Sequence, residues 1–233
     1  MTSADDILGQ LGDEYPAWWV DLLGEHNHVG GSESTRWLLE RSGLQPGRRM
    51  LDVGCFVGAA ARMAALQTGA AAVALDVNNG FLAAGRQLPG GERVYWVTGV
   101  ANRLPFHDGT FQSVWSLDSA APLRELTRVA STAASLCLCC EAPSDGRGGL
   151  DAFLDEWAAL GWTLGAHRPL TLEALQTWRR AESELVRRRP HFEHRYGTRS
   201  YLAQLDHVAR LVVGYERGGQ GHGLFVLTRD GAD

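Results

Sequence analysis

At 233 residues and 45% apolar composition the chain can bury one substantial core, which a single doubly wound domain, 1–233, with a small cap would use up. A formal net charge of -5 and an isoelectric point near 5.9 argue against nucleic acid, whose affinity comes largely from basic side chains meeting phosphates. No apolar run approaches the roughly 20 residues that span a bilayer, and the acidic start at Met1 to Gln10 lacks the pattern of a leader, so a cytoplasmic protein without a membrane partner is expected.

In chain order, Tyr15 to Val20 predicts an aromatic helical segment that packs across the mouth of a pocket, and Thr35 to Leu39 belongs to a second helix. Met50 to Val53 has the pattern of a short buried strand. Gly54 and Gly58 bracket a tight turn, and the alanine-rich stretch Ala59 to Leu66 is a strong helix former. Glycine lets backbone approach a ligand closely, and the helix that follows presents its N–H groups and the favourable end of its dipole. Ala71 to Leu75 predicts a parallel strand ending at Asp76, about 20 residues past the turn, where an acid can accept hydrogen bonds from both ribose hydroxyls.

Further on, the pattern predicts a helix over Gly80 to Gln87, strands over Val94 to Ala101 and Phe111 to Leu117, and a helix over Leu123 to Ala133. A fifth strand covers Leu136 to Cys140, then a helix Leu150 to Leu160 and a strand Trp162 to His167. Thr171 to Arg217 reads as a cap of two helices broken at Pro190 to Gly197, and Leu224 to Thr228 as a last strand. The core is then about 34–169 with 221–230, and the cap is built from 1–33 and 171–217. The glycine-rich stretches Asp145 to Gly149 and Arg217 to Gly223 read as mobile loops.

With Asp52 before the turn, Asp76 after it, and Leu104-Pro105-Phe106-His107-Asp108-Gly109-Thr110-Phe111 leading into the fourth strand, the chain resembles class I S-adenosylmethionine-dependent methyltransferases of the small-molecule type. The likeness runs over residues 28 to 230. His28-Val29-Gly30-Gly31 looks like that family's His-Pro-Gly-Gly helix entry, and Gly221 to Thr228 like its last strand. The resemblance implies an α/β fold with a doubly wound, seven-stranded, mostly parallel sheet, the last strand inserted antiparallel between the fifth and sixth, and a helical cap. It implies S-adenosylmethionine as cofactor, held by Asp52, Gly54, Cys55, Phe56, Gly58, Asp76, Val77, Val100, Ala101 and Asp118, with the loop Gly99 to Asn102 beside it.

Three positions depart from the family pattern. The middle glycine of Gly-x-Gly-x-Gly is Phe56, whose ring could fill the space of the methionine tail. The acid that usually meets the adenine amino group is Val100, and the Pro-Gly-Gly turn before the fifth strand is replaced by Ala130 to Ser135.

Methyl transfer from a sulfonium needs mainly alignment and exclusion of water, with a base only for a poorly acidic acceptor. Candidates stand at the carboxyl ends of strands. Asp118 and Glu141 have that address, and His28 could line the pocket or serve as a hydrogen-bonding residue at the helix entry; Asp118 could equally cap its own turn. Cys55, Cys137, Cys139 and Cys140 have no metal-ligand spacing and read as core, Cys140 lying closest to where ligands bind, so no metal is expected. His107 is expected at the surface, and His167, His191, His194, His207 and His222 have no spacing that specifies a metal or a triad. Trp18, Trp19, Trp178 and Tyr201 could wall an acceptor site or pack as core. Arg179, Arg180, Arg187, Arg188 and Arg189, interleaved with Glu173, Glu182 and Glu184, read as a solvated, ion-paired face.

The leading reading is a methyltransferase acting on a small organic acceptor in specialised metabolism, with room for a homodimer. The alternatives are the same scaffold turned to cyclisation or elimination, or a silent binding subunit. The methyltransferase reading depends on whether the Phe56 ring swings clear of the cavity; with the ring plugging it, only the scaffold survives.

Overall fold

A computed structural model describes residues 15–120, 122–143 and 149–229. The N-terminal residues 1–14 and most of the glycine-rich stretch 145–149 lie outside the described residues. Two helices, α1 (Tyr15–Leu23) and α2 (Gly31–Leu39), precede strand β1 (Arg49–Val53). There follow α3 (Ala59–Thr68), β2 (Ala71–Asp76), α4 (Asn79–Gln87), β3 (Val94–Thr98), β4 (Phe111–Leu117), α5 (Leu123–Val129) and β5 (Ala130–Ala142). The chain continues through α6 (Gly149–Ala158), β6 (Thr163–Pro169), α7 (Thr171–Arg187), α8 (Arg189–Tyr196), α9 (Thr198–Glu216) and β7 (Gly221–Thr228).

The seven strands run in the order β3-β2-β1-β4-β5-β7-β6, with β7 antiparallel to both neighbours and the remaining pairs parallel. This is the doubly wound architecture expected from the sequence. Alternation along β1 sends Met50 to one face of the sheet and Leu51 and Val53 to the other. On the first face lie Ala60, Ala61 and Ala64 of α3 with Leu38 of α2 and Ala174 of α7; on the second lie Leu126 and Val129 of α5 and Trp157 of α6. Because the chain leaves β1 toward β2 on one side and returns at β4 on the other, a crevice opens at the carboxyl ends of β1 and β4, where such sheets bind ligands.

Four boundaries differ from the sequence reading. Strand β3 stops at Thr98, because Gly99 N–H bonds the Asp76 carbonyl (3.0 Å) and the chain then turns through a bridge between Val100 and Arg103. The helix expected through Ala133 ends at Val129. There the Arg128 guanidinium bonds Glu125, Asp108 and the carbonyls of Leu104 and Phe106, tying the last turn to the loop before β4. The chain enters β5 directly, and the pairing register with β4 jumps from Phe111–Ala130 to Ser113–Ser135 with Ala133 in a left-handed conformation, so a bulge stands in place of the missing Pro-Gly-Gly turn. The stretch 171–217 holds three helices rather than two, since Pro190 sits in the first turn of α8, where its missing N–H costs nothing. Gly221 to Gly223, read both as the end of a loop and as the start of the strand that the resemblance implied, pair with β5 as strand.

Gly58 shows why the turn after β1 cannot carry side chains freely. It caps α3 at φ 67°, and a Cβ there would lie 2.5 Å from Cη2 of Trp96, whose indole fills the notch between α3 and α4 and donates to the Gly91 carbonyl (2.9 Å). Gly58→Ala is therefore expected to cost roughly 2 to 3 kcal/mol in chemical denaturation, from left-handed strain and the displaced indole together. An unchanged midpoint would show that the indole is free to shift.

Candidate functional site

The turn between β1 and α3 alternates between left-handed and ordinary backbone: Gly54, Phe56 and Gly58 have φ of 69°, 55° and 67°. That alternation is the physical content of the glycine-rich spacing, and Phe56 adopts at its centre a conformation that costs a residue with a Cβ about 1 to 2 kcal/mol. Burial offsets it. The ring is 4% exposed, lies edge-on to Phe81 with centroids 4.7 Å apart, and joins an apolar cluster with Trp19, Val57 and Ala84. Packed there, it lines a cavity of about 900 Å³ without filling it.

The carboxylate of Asp76 ties the turn to the end of β2. One oxygen accepts the Phe56 N–H (2.9 Å) and the other the Asn78 N–H (2.9 Å), while the Leu75 carbonyl accepts the N–H groups of Gly54 and Cys55. Burial raises the Asp76 pKa, and the backbone N–H groups pull it back. Gly54 faces the loop after β4 so closely that a Cβ would overlap Ser119 Oγ.

Of the residues singled out from the sequence, Gly54, Phe56, Asp76, Val77, Val100, Ala101, Asp118 and Glu141 line the cavity, as does Cys140. Asp52, Cys55, Gly58 and His28 do not. Asp52 is buried beneath the turn and accepts the Ala61 N–H; burial first, then the nearby Asp76 charge, pushes its pKa up to about 7. Cys55 is a core residue. His28 sits behind the pocket wall, with Nε2 2.9 Å from Thr35 Oγ1 and Nδ1 3.2 Å from the Val29 carbonyl, and burial lowers its pKa. The Cys140 thiol is pushed up to about 12 by burial and by the Asp118 and Glu141 charges, which leaves it a poor nucleophile. His107 is exposed.

Two of the four aromatics form a roof: Trp19 and Trp178 line the cavity with ring centroids 5.5 Å apart. Trp18 stacks instead on Phe192 and Tyr196 inside the cap, and Tyr201 is buried in the same cluster. In the arginine-rich cap, Arg179 pairs with Glu216, Arg187 with Glu184 and Arg189 with Glu193 at the surface, while Arg188 reaches the Asp21 carbonyl and so fastens α1 to the cap.

Asp118 stands at the end of β4 with φ 48°, its N–H bonded to the Cys139 carbonyl (2.7 Å). Its carboxylate accepts the Val29 N–H (2.8 Å) and meets His222 Nε2 at 3.0 Å, while His222 Nδ1 lies 3.0 Å from the Tyr215 hydroxyl. Burial alone would raise the Asp118 pKa, but His222, the Val29 N–H and His28 together hold it below the usual carboxylate range. Donor atoms of Asp118, Cys139 and His222 lie within 4.8 Å of one another, and their separations of 3.0, 3.5 and 3.7 Å are also those of a closed hydrogen-bond network. His222 is the residue that sequence reasoning passed over. The usable signal was register: as the second residue of a strand antiparallel to β5, it stands opposite Glu141, beside the end of β4.

Residues 51–137 match the family described as "Methyltransferase domain". A sterol 24-C-methyltransferase from Yarrowia lipolytica is 33% identical over 108 residues, 44% of this chain and 28% of that protein. Methyltransferase GfsG from Streptomyces halstedii is 31% identical over 121 residues, 47% of this chain and 42% of that protein, so the match spans less than half the length of either relative. Among solved structures, the 4+2 cyclase SpnF superposes with a TM-score of 0.71 at 21% identity, covering 87% of this chain and 82% of that one, a likeness of fold.

Asp52 generates a pH prediction. Its folded pKa of about 7 exceeds the ordinary value of 3.8, so the folded state holds the extra proton between those limits and stability falls as pH rises from about 4 to 7. His26, lowered to about 4 chiefly by burial, acts oppositely: its contribution is lost as pH falls from 6.5 toward 4. Asp52→Asn removes the first slope and leaves the second, so denaturation of the variant should show stability rising across this window, by on the order of 4 kcal/mol relative to the parent. Parallel profiles would contradict the Asp52 shift.

Proposed function

We propose that this chain, which carries a methyltransferase domain on the class I methyltransferase fold, binds S-adenosylmethionine in the half of the cavity at the ends of β1, β2 and β3 and methylates a small organic acceptor in the other half. The observation that carries this reading is Asp76, an acid fixed at the cavity wall by two backbone N–H groups beside a turn whose one large side chain packs out of the way. Each Asp76 oxygen keeps a lone pair for a ribose hydroxyl. Val77 and Val100, both well exposed, offer apolar contact to the two faces of a base, with Ala101 beside them. Gly54 gives the amino-acid tail a close approach to backbone, Asp52 and Gly58 support the turn from beneath, and Cys55 packs behind it.

When bound, the cofactor supplies an activated methyl group, so the protein's tasks are alignment and exclusion of water. Trp19 and Trp178 cover the cavity from the cap, and Asp118 and Glu141 present carboxylates from the sheet. Asp118 is held in a strained conformation and kept ionised, which suits it to fix an acceptor's N–H or O–H donor or to balance positive charge. His28 acts through Val29, whose N–H holds that carboxylate. The setting we assign is specialised metabolism in the cytoplasm. Four unpaired cysteines suit a reducing compartment, and no helix among the described residues is long and apolar enough to cross a membrane.

Titration calorimetry tests the reading. S-adenosylhomocysteine should bind with a dissociation constant below about 100 μM, and Asp76→Ala should weaken it at least tenfold, about 1.4 kcal/mol; no binding at millimolar concentration ends the proposal. The competing reading, cyclisation or elimination on the same scaffold, predicts product formation with the cofactor's methyl group retained, which mass spectrometry of cofactor and product resolves.

A further inference from the structure

We propose that the acceptor half of the cavity selects a flat, apolar molecule bearing an amine and rejects acceptors that carry carboxylate or phosphate. The proposal rests on the methyl-transfer reading, which assigns the β1 to β3 half of the cavity to the cofactor and leaves the ends of β4, β5 and β7 to the acceptor.

Charge is the first argument. That half presents two carboxylates, Asp118 and Glu141, and no arginine lines the cavity among the described residues. The sequence contains no lysine; its 22 basic residues are all arginine. Two arginines of neighbouring elements are engaged outside the cavity, Arg168 with Glu33 and Glu173 and Arg179 with Glu216. His222 does not supply a counter-charge to an anion, because Nε2 faces Asp118 and Nδ1 faces the Tyr215 hydroxyl. An acceptor carboxylate would therefore enter a site holding like charges and, among the described residues, no arginine to pair with, the arrangement that discriminates by repulsion. An ammonium or a neutral amine meets two acceptor-only groups, each able to take its N–H donors.

The second argument is the roof. Trp19 and Trp178 meet edge to face, Trp19 lies 6.5 Å from the His207 ring, and Leu211 completes the apolar surface. Aromatic faces above two carboxylates favour a flat body and a positive head together, since cation–π attraction and charge pairing act on the same group. The cavity, about 900 Å³ for both ligands, keeps the acceptor small.

Tryptamine and indole-3-acetate share one flat body and differ in the sign of the head group, which makes them suitable probes. Calorimetry on the protein saturated with S-adenosylhomocysteine should show tryptamine binding at least tenfold more tightly than indole-3-acetate. Glu141→Gln should narrow that ratio below threefold, and Trp178→Ala should weaken tryptamine at least fivefold, with S-adenosylhomocysteine affinity retained in both variants as the check on folding. Equal binding, a preference for the acid, or binding of neither probe to the saturated protein overturns the acceptor assignment alone. Failure of S-adenosylhomocysteine to bind overturns the methyl-transfer reading beneath it.

Discussion

The geometry of the cavity depends on one carboxylate. Asp76 holds the Phe56 N–H with one oxygen and the Asn78 N–H with the other, fastening the first crossover to the end of β2. Without that clamp nothing local favours a phenylalanine in the left-handed region at the centre of the turn. With it, the backbone is fixed, the side chain has one direction left, and Phe81 and the cap receive the ring. The cost of the strained residue is met by burying a benzyl group, worth roughly 1.5 to 3 kcal/mol.

A second constraint works across longer distances. The carboxylate of Asp118 gathers Val29 from the entry to α2, His222 from β7 and, through His222, Tyr215 from α9. The His222 carbonyl and N–H in turn hold Leu170 and Thr171 at the start of α7. The floor of the acceptor half is thus fixed to the cap helices that carry its roof. Both non-glycine residues with positive φ that line the cavity, Phe56 and Asp118, are the ones so clamped, whereas Ala133 belongs to the bulge in β5. Strain that persists only because surrounding bonds over-determine it is a mark of functional sites.

What was legible in the sequence follows from the range of each interaction. The β1, α3, β2 unit declares itself locally, through a buried apolar run, glycines at alternating positions and an alanine-rich helix, and the observed bounds agree closely with the reading. Asp76 was legible for the same reason. The end of α5 was not, because it is set by Arg128 reaching the loop before β4, and alanine-rich sequence after Val129 reads equally well as helix. His222 was opaque because its partner is 104 positions away and reached only once β7 is inserted antiparallel beside β5. The orientation of the Phe56 ring depends on cap residues whose docking no local pattern encodes.

The two halves of the cavity differ in what fixes them, and that difference bears on function. The β1 to β3 half is built from backbone conformations and one acid, features that serve a ligand of constant shape. The β4 to β7 half is built from side chains of β4, β5, a strand late in the sequence and three cap helices, and Trp19 of the cap also belongs to the cluster that receives the Phe56 ring, so the two halves meet at the cap. A scaffold divided in this way can keep its cofactor chemistry while its acceptor changes. The match to the methyltransferase domain family covers residues 51–137, the strands from β1 to the middle of β5, and ends before β7 and the cap helices α7 to α9 that complete the other half.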